Sequence, residues 1–257
     1  MKYDKNSREE WNTFVPRLGI KGKIKNFLMK ILFREKADSE SYIKYLRNQG
    51  MKIGKGTYIR APRSTTIDPT NPWLIEIGEN VRILKGVTIL THDFSWAALT
   101  HIEGNITGGI SGVTIGNNVF LGMHSTVLRG VTIGDNVIIG AGSIVSKDCK
   151  PNSVYAGIPA KYVCSIEEFY EKRKVKTVQE AKDLAWRYYN RFNKRPDEYI
   201  MREYFLLFTD RKNEPDENQE MLMLQSGHFD KCMEYYRNTK PQYASLKEFL
   251  DECGLPE

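Results

Sequence analysis

Residues 115–145 read IGNNVFLGMHSTVLRGVTIGDNVIIGAGSIV, a stretch in which an aliphatic side chain returns at every sixth position. These aliphatic residues are Ile115, Leu121, Val127, Ile133, Ile139 and Val145. Neither an α-helix nor an ordinary strand repeats every six residues, whereas the stacked coils of a β-solenoid do. The stretch therefore predicts a solenoid built from short strands and tight corners.

Small or β-branched residues form a second series, four positions after each aliphatic one. They are Val119, Ser125, Val131, Val137, Ser143 and Cys149. Because alternate side chains of a strand point to the same face, both series are expected to face the core. Runs such as Gly116-Asn117-Asn118 and Gly134-Asp135-Asn136 supply corners, since these residues adopt tight or left-handed backbone conformations at low steric cost.

The same phase extends upstream and sets the length of the solenoid. Aliphatic residues in phase are Ile53, Ile59, Ile77, Ile83 and Ile89, with Thr65 and Asn71 expected as polar exceptions. After Cys164 the hexads give way to aromatic and charged residues at helical spacing, as in 178–192 and 197–208. We therefore expect a helical N-terminal segment at 1–50, a β-helix domain at 51–164 and an α-helical appendage at 165–257.

Two helices are expected before the first coil. Apolar residues recur at helical spacing among lysines and arginines, namely Ile24, Phe27, Leu28, Ile31 and Leu32. Such a basic amphipathic helix lies on an anionic membrane or packs on its own protein, and the second arrangement is expected because it is commoner. The second helix is expected to begin at Asp38 or Ser39 and to end at Gly50.

Composition narrows the class of protein. No run of eighteen apolar residues predicts a membrane span, the N-terminus lacks the apolar core of a signal peptide, and the four cysteines form no C-x-x-C pair, so a cytoplasmic location is expected. The net charge of +6 suits a polyanionic partner such as coenzyme A, although a general solubility role explains it equally well. No basic stripe interleaved with aromatic residues indicates nucleic-acid binding.

The hexads, together with VYAGIPAK at 154–161, resemble the hexapeptide-repeat acyltransferases, among them galactoside and maltose acetyltransferases and O-acetyltransferases of bacterial capsule and exopolysaccharide synthesis. The resemblance implies a mainly β fold: a left-handed parallel β-helix, an exception to the usual right-handed crossover, with N-terminal helices and a C-terminal α-helical appendage. It also implies acetyl-coenzyme A as co-substrate, no metal, and a homotrimer with active sites between subunits.

An insertion interrupts the repeat between Ile89 and Ile115, which lie twenty-six residues apart, two more than four hexads. The insertion begins at residues 90–96, LTHDFSW, where a coil would carry aliphatic side chains. Loops that project from rigid scaffolds collect functional residues. In the family that the chain resembles, a loop at this place carries the catalytic histidine, and His92 stands at the equivalent position.

His92 is therefore the predicted general base. A sugar hydroxyl is negligibly ionised at neutral pH, so its proton must be removed as it attacks a thioester, and an imidazole suits that task. Direct transfer without an acyl-enzyme is expected. Either Asp93 or a main-chain carbonyl is expected to fix the tautomer of His92, and the sequence does not choose between them.

The other histidines, and the serine and cysteine residues of the hexads, are weaker candidates for catalytic residues. His101, in the same loop, is the second candidate for the base; His124 is expected at a coil corner near the pantetheine arm, and His228 is expected to be structural. Zinc catalysis of the γ-type carbonic anhydrase kind needs three histidines, and no closely spaced pair is present. Ser143 and Cys149 occupy inward positions of the hexads and are expected in the core, not as nucleophiles.

The resemblance also implies residues that bind coenzyme A. Met123 and Ala141 lie eighteen positions apart, one full coil, and are expected to offer backbone groups to the pantetheine arm. Ser146 and Lys147 match a Thr-Lys pair of the family, and Lys161 stands where relatives carry Arg or Lys near the nucleotide phosphates.

The leading functional prediction is acetyl-coenzyme A-dependent O-acetylation of a sugar hydroxyl in a surface polysaccharide or its precursor. Candidate acceptor contacts are Asp68, Asn71, Asp93 and Trp96, the last because an aromatic face can cover the C–H patch of a pyranose. Acetylation of a xenobiotic or of an aminosugar nucleotide is an alternative. A non-catalytic β-helix scaffold is the rival of a different class, and an inserted loop bearing His and Trp argues against it.

Overall fold

The computed structural model describes residues 2–3, 16–17 and 28–256. Within them the chain forms two compact units, one of residues 28–169 and the other of residues 170–256 together with an antiparallel strand pair, β1 (Lys2–Tyr3) and β2 (Pro16–Arg17). The expected boundaries at residues 50 and 164 remain predictions. None of the helices in the described part of the chain is both long enough and apolar enough to cross a bilayer.

Three narrow sheets build the first unit. The first sheet contains β3 (Lys52–Ile53), β6 (Ile75–Ile77), β9 (Val113–Ile115) and β12 (Thr132–Ile133). The second contains β4 (Tyr58–Ile59), β7 (Arg82–Ile83), β10 (Phe120–Leu121), β13 (Val137–Ile139), β15 (Ser153–Ala156) and β16 (Lys161–Ser165). The third contains β5 (Thr66–Ile67), β8 (Thr88–Ile89), β11 (Thr126–Val127) and β14 (Ile144–Val145).

Each sheet takes one strand from each of the first four coils, the second sheet continues with β15 and β16, and equivalent aliphatic residues stack. Ile77 pairs with Ile115 and Ile115 with Ile133 in parallel register, while β15 and β16 pair antiparallel at the last coil. The aliphatic residues of the hexads from 115 to 145 are at most 2% exposed, so each contributes roughly 1.5–3 kcal/mol by burial. The predicted fold, a left-handed parallel β-helix with helical flanks, is confirmed.

The inward series behaves as expected. Ser143 is fully buried, and Cys149 is buried next to the first sheet. Burial, followed by the nearby charge of Asp148, raises the pKa of the Cys149 thiol to about 11. A thiol with a raised pKa is a poor nucleophile at neutral pH, in keeping with a core role.

The expected phase at residues 65 and 71 is wrong. Ile67, not Thr65, is the buried aliphatic residue of β5, and it pairs with Ile89 of the next coil. Two 3-10 turns, Pro62–Ser64 and Pro72–Leu74, take up the residues that exceed a regular hexad. Proline begins each turn, because its fixed φ suits a helical first position.

Helices close the first end of the solenoid. Residues 28–33 are helical and are called α1, and α2 (Ser39–Asn48) follows a 3-10 turn at Arg34–Lys36. The helix α2 begins at Ser39, within the predicted start, and Asp38 caps it by accepting a hydrogen bond from the Ser41 amide. The remainder of the expected basic helix, with Ile24 and Phe27, lies outside the described residues.

Polar side chains from these helices satisfy backbone groups of the first coil. The Ile59 amide donates to Ser39 Oγ at 2.9 Å, and Arg47 donates to the carbonyl oxygen of Ile53 at 2.6 Å. Lys36 Nζ donates to the carbonyl oxygen of Thr65 at 3.2 Å. Each of the three strands of the first coil is thus contacted at its open edge, or directly beside it.

Residues 90–112 leave the second coil and contain α3 (Trp96–Glu103). The helix α4 (Ile166–Phe192) begins in the first unit and continues into the second, which also contains α5 (Glu217–Ser226), α6 (Phe229–Asn238) and α7 (Leu246–Glu252). The core of the second unit is formed mainly by Ala181, Ala185, Met201, Phe205, Tyr236 and Phe249. The helical spacing over 197–208 predicted an α-helix, but this stretch contains a 3-10 helix, Arg202–Leu207.

Candidate active site

The inserted loop is fastened where it leaves and rejoins the solenoid. His92 forms an antiparallel bridge with Ile110, the Asp93 amide donates to the Gly109 carbonyl at 2.9 Å, and the Ser111 amide donates to the Thr91 carbonyl at 2.9 Å. The base of the loop is therefore a short two-stranded ladder. Its geometry holds His92 in place although the ring belongs to an extruded segment.

An aspartate from the preceding coil contacts the His92 ring. Asp68 follows β5 directly, and the pairing of β5 with β8 brings it beside the start of the loop. His92 Nδ1 lies 2.6 Å from Asp68 Oδ2. The His92 side chain is 37% exposed, whereas that of Asp68 is 1% exposed, so the pair joins an accessible imidazole to a buried carboxylate.

Hydrogen bonds keep Asp68 ionised. Oδ2 also accepts from the Thr91 amide at 2.9 Å and from Thr91 Oγ1 at 2.6 Å, and Oδ1 accepts from the Thr70 amide at 2.9 Å. Burial raises the pKa of Asp68, but the bonds donated by Thr91, Thr70 and His92 outweigh burial and hold the pKa well below its usual range.

The charge on Asp68 assigns the tautomer of His92. An ionised carboxylate only accepts hydrogen bonds, so Nδ1 must carry the proton that it shares with Asp68. In the neutral ring the lone pair then lies on Nε2. Nε2 has no hydrogen-bond partner among residues 28–256, which leaves it able to accept a proton from a bound hydroxyl.

Asp93 does not orient His92, and neither does a main-chain carbonyl. Asp93 Oδ1 accepts from the Ser95 amide at 3.0 Å and from Ser95 Oγ at 2.5 Å, and Oδ2 accepts from Arg129 of the third coil. The bonds from Ser95 and then from Arg129 lower the pKa of Asp93 to about 2. Asp93 thus anchors the entry to α3, and its assignment as an acceptor contact stays a prediction.

The remaining acceptor candidates lie near the same turns. Trp96 begins α3 half-buried, with its ring centroid 4.6 Å from that of Phe94. Asn71 precedes the 3-10 turn at Pro72–Leu74, and its buried amide nitrogen has no hydrogen-bond partner in the described part of the chain. His101 is exposed on α3 with Nδ1 2.5 Å from the carbonyl oxygen of Ala98. Asp68, also predicted as an acceptor contact, has its oxygens engaged as described above.

The candidate coenzyme-binding residues occupy two corners of the solenoid. Met123 and Ala141 follow β10 and β13 of the second sheet and are exposed, with the Gly142 amide donating to the Met123 carbonyl at 2.8 Å. Within the described chain neither the Met123 nor the Ala141 amide donates a hydrogen bond. Two free donors one coil apart suit an extended ligand that carries amide carbonyls.

Ser146 and Lys147 follow β14 of the third sheet, and Lys161 begins β16; all three are exposed. Neither lysine forms an ion pair with another described residue. Exposed unpaired ammonium groups fit the phosphates of coenzyme A. Ser146 and Lys147 lie on a different corner from Met123 and Ala141, whereas Lys161 pairs with Ala156 at the end of β15, in the same sheet as β10 and β13. A ligand that contacts both corners must be long.

His124 lies at a coil corner, as expected. Its φ of 57° places it in the left-handed region, and its ring lies against Gly86 of the preceding coil, where a Cβ atom would overlap Nδ1. Among residues 28–256 no three His, Cys, Asp or Glu side chains are grouped closely enough to hold a metal ion.

Fold and site together define a hexapeptide-repeat transferase, and comparison with known proteins agrees. The family described as bacterial transferase hexapeptide (six repeats) matches residues 112–147. Protein CapG of Staphylococcus aureus is 35% identical over 150 residues, which are 58% of this chain and 83% of that protein. The chain belongs to the hexapeptide-repeat transferase family and is an acyltransferase.

Two further relatives show how far the similarity extends. Galactoside O-acetyltransferase of Escherichia coli (strain K12) is 36% identical over 136 residues, 52% of this chain, and the match spans 63% of that enzyme, less than two thirds of its length. The crystal structure of a maltose O-acetyltransferase from Clostridium difficile 630 aligns with a TM-score of 0.41 at 26% identity, covering 57% of this chain and 87% of that one. The predicted family is confirmed by the family match over residues 112–147 and by the similarity to CapG.

Proposed function

We propose that this acyltransferase moves an acetyl group from acetyl-coenzyme A to a sugar hydroxyl of a surface polysaccharide or its precursor. The observation that carries the proposal is the bond between His92 Nδ1 and the buried Asp68, which leaves Nε2 as a base at the foot of the inserted loop. The similarity to galactoside O-acetyltransferase supports a sugar acceptor. A cytoplasmic location, where acetyl-coenzyme A is made, is part of the proposal.

The proposed reaction is a direct transfer. His92 Nε2 accepts the proton of the acceptor hydroxyl while the hydroxyl oxygen forms a bond to the thioester carbonyl carbon. The C–S bond then breaks, and the proton passes from Nε2 to the departing thiolate. Asp68 remains ionised throughout and stabilises the imidazolium that forms, because its oxygens stay hydrogen-bonded to Thr91 and Thr70.

Residues at both corners are proposed to bind acetyl-coenzyme A. Met123 and Ala141 offer backbone amides to the pantetheine arm, and Ser146 and Lys147 lie beside its continuation. Lys147 and Lys161 neutralise phosphate charge. On the acceptor side, Trp96, Asn71 and Asp93 are the proposed sugar contacts.

A homotrimer is proposed as the active form. The inserted loop exposes large apolar side chains, namely Phe94, Leu99, Ile102, Ile106 and Ile110, each 46–67% exposed. Contiguous apolar side chains at this density on a soluble chain favour burial against another surface. A neighbouring solenoid would cover the loop and make the wall of a cleft beside His92.

Steady-state transfer from acetyl-coenzyme A to a panel of glycans, xenobiotics and aminosugar nucleotides tests this function. His92→Ala should lower kcat by roughly 10²–10⁴, with a limited loss of stability because Asp68 keeps its bonds from Thr91 and Thr70. His101→Ala, a histidine of the same loop, is the matched control and should keep most activity. Transfer only to a xenobiotic or an aminosugar would replace the proposed acceptor, and full activity of His92→Ala would refute the proposed base.

A further inference from the structure

The short helix α1 exposes an apolar face. Leu28 is 51% exposed, Ile31 58% and Leu32 71%. Residues at i, i+3 and i+4 lie on one side of a helix, so these three side chains form a continuous stripe. The sequence left two arrangements open, packing on the protein itself or on an anionic membrane, and favoured the first; in the structure these three side chains are largely exposed.

Cationic side chains lie beside the Leu32 end of the stripe. Leu32 and Phe33 line a pocket of about 430 Å³ together with Arg34, Glu35, Lys36 and Arg63. The guanidinium of Arg63 lies 4.4 Å from the centroid of the Phe33 ring, which holds it at the pocket wall. Three cationic side chains against one carboxylate give the pocket a positive charge.

An apolar stripe beside a basic pocket is the pattern of an interfacial helix, which inserts its apolar face between lipids while cations attract anionic headgroups. A second copy of the chain fits less well. In a two-fold contact each patch meets itself, which would bring the arginines of one copy towards those of the other. Charge complementarity therefore selects an anionic bilayer over a second copy.

We propose that residues 28–36 and Arg63 form a docking surface for membranes that contain anionic phospholipid. The surface lies on the capping segment of the solenoid and shares no residue with the candidate active site. Docking is independent of the transfer chemistry, so either proposal can fail without the other.

Co-sedimentation of the full chain with vesicles tests the docking surface. The wild type should bind vesicles of phosphatidylglycerol and phosphatidylcholine at least about tenfold more tightly than pure phosphatidylcholine, and rising salt should weaken binding. Leu28→Ser/Ile31→Ser/Leu32→Ser and Arg34→Glu/Arg63→Glu should each lower binding about tenfold or more. Val175→Ser, at an 80% exposed apolar side chain on α4, and Lys176→Glu are the controls and should bind as the wild type does.

Thermal unfolding and transfer to a soluble acceptor should be the same for all these variants as for the wild type. If the triple variant does not fold, Leu32→Ser, at the most exposed position of the stripe, replaces it and should still weaken binding. Equal binding to neutral and anionic vesicles, or no binding, overturns the proposal. So does light scattering in which the triple variant loses an oligomeric state that the wild type keeps, because the stripe would then be covered by a second copy.

Discussion

Asp68→Asn is the sharpest test of the candidate active site. Three hydrogen bonds enter Asp68 Oδ2 and one enters Oδ1, so an asparagine is expected to keep its carbonyl at the Oδ2 position. Its NH₂ group then faces the Thr70 amide, so that two hydrogen-bond donors oppose each other. The variant preserves size and removes the charge that assigns the tautomer of His92.

The size of the effect follows from the bonds that change. A hydrogen bond to a charged group contributes about 1.5–3 kcal/mol, and a factor of ten in rate corresponds to about 1.4 kcal/mol. The loss of the charge-assisted bond to His92 Nδ1 should therefore lower kcat by roughly 10- to 100-fold, with little change in KM for either substrate. The amide of Thr70, an exposed residue, loses its acceptor in the variant, which should cost about 0.5–1.5 kcal/mol of stability.

The pH dependence of the free energy of unfolding tests whether Asp68 is ionised in the folded protein. Because the folded-state pKa of Asp68 is depressed, its contribution to stability is present above the ordinary value of about 3.9 and is lost as pH falls through the folded-state value. The stability difference between wild type and Asp68→Asn should be constant near neutrality and shrink below about pH 4.

Steady-state kinetics and chemical denaturation over pH supply both measurements. Asp93→Asn is the matched control: it removes a carboxylate of the same loop that does not touch His92, so its kcat should stay within about twofold of wild type whatever happens to KM for the acceptor. A kcat of Asp68→Asn within about twofold of wild type would show that Asp68 does not act through His92.

Three further predictions concern the donor site, the solenoid and the assembly. Lys147→Glu and Lys161→Glu should each raise KM for acetyl-coenzyme A, and wild-type affinity should fall with salt; affinity insensitive to both would remove the lysines from the site. Gly86→Ala should lower the unfolding free energy about 1–3 kcal/mol more than Gly104→Ala. Both glycines have φ near +75°, but only Gly86 contacts the His124 ring. The double variant Gly86→Ala/His124→Ala should therefore recover the difference. Mixing His92→Ala chains with Lys147→Glu/Lys161→Glu chains should restore about a quarter of the wild-type sites if each site is shared by two subunits of a randomly assembled oligomer, and an active monomer in light scattering would exclude sharing.

The periodic part of the fold could be predicted from sequence because every hexad carries its own signal. Ile115 and Ile133 are aliphatic because each faces the core, and the register of β9 with β12 follows from their spacing. The inserted loop was visible as a break in that period. Its helix, α3, was not, because the loop lacks a regular apolar face.

The partner of His92 could not be predicted, because it depends on the length of a turn. The 3-10 turn at Pro62–Ser64 shifts β5 by two residues, so the phase of the hexads puts Thr65 at the position that Ile67 occupies. With that phase, Asp68 is not expected beside the start of the inserted loop. The bond from Asp68 to His92 also links residues that are far apart in sequence and joined only by the pairing of β5 with β8. The prolines that begin the two 3-10 turns, Pro62 and Pro72, were the signal in the sequence that the hexad phase changes there.

The helices at the start of the solenoid also determine how many coils the molecule has. Each coil presents to the next the same row of amides and carbonyls that it received, so nothing within the repeat itself ends the stack. Ser39, Arg47 and Lys36 occupy the groups of the first coil that a preceding coil would bind. Another molecule's coil would have to displace these three contacts in order to stack here, so the capping segment opposes the growth into a fibre that an uncapped repeat allows.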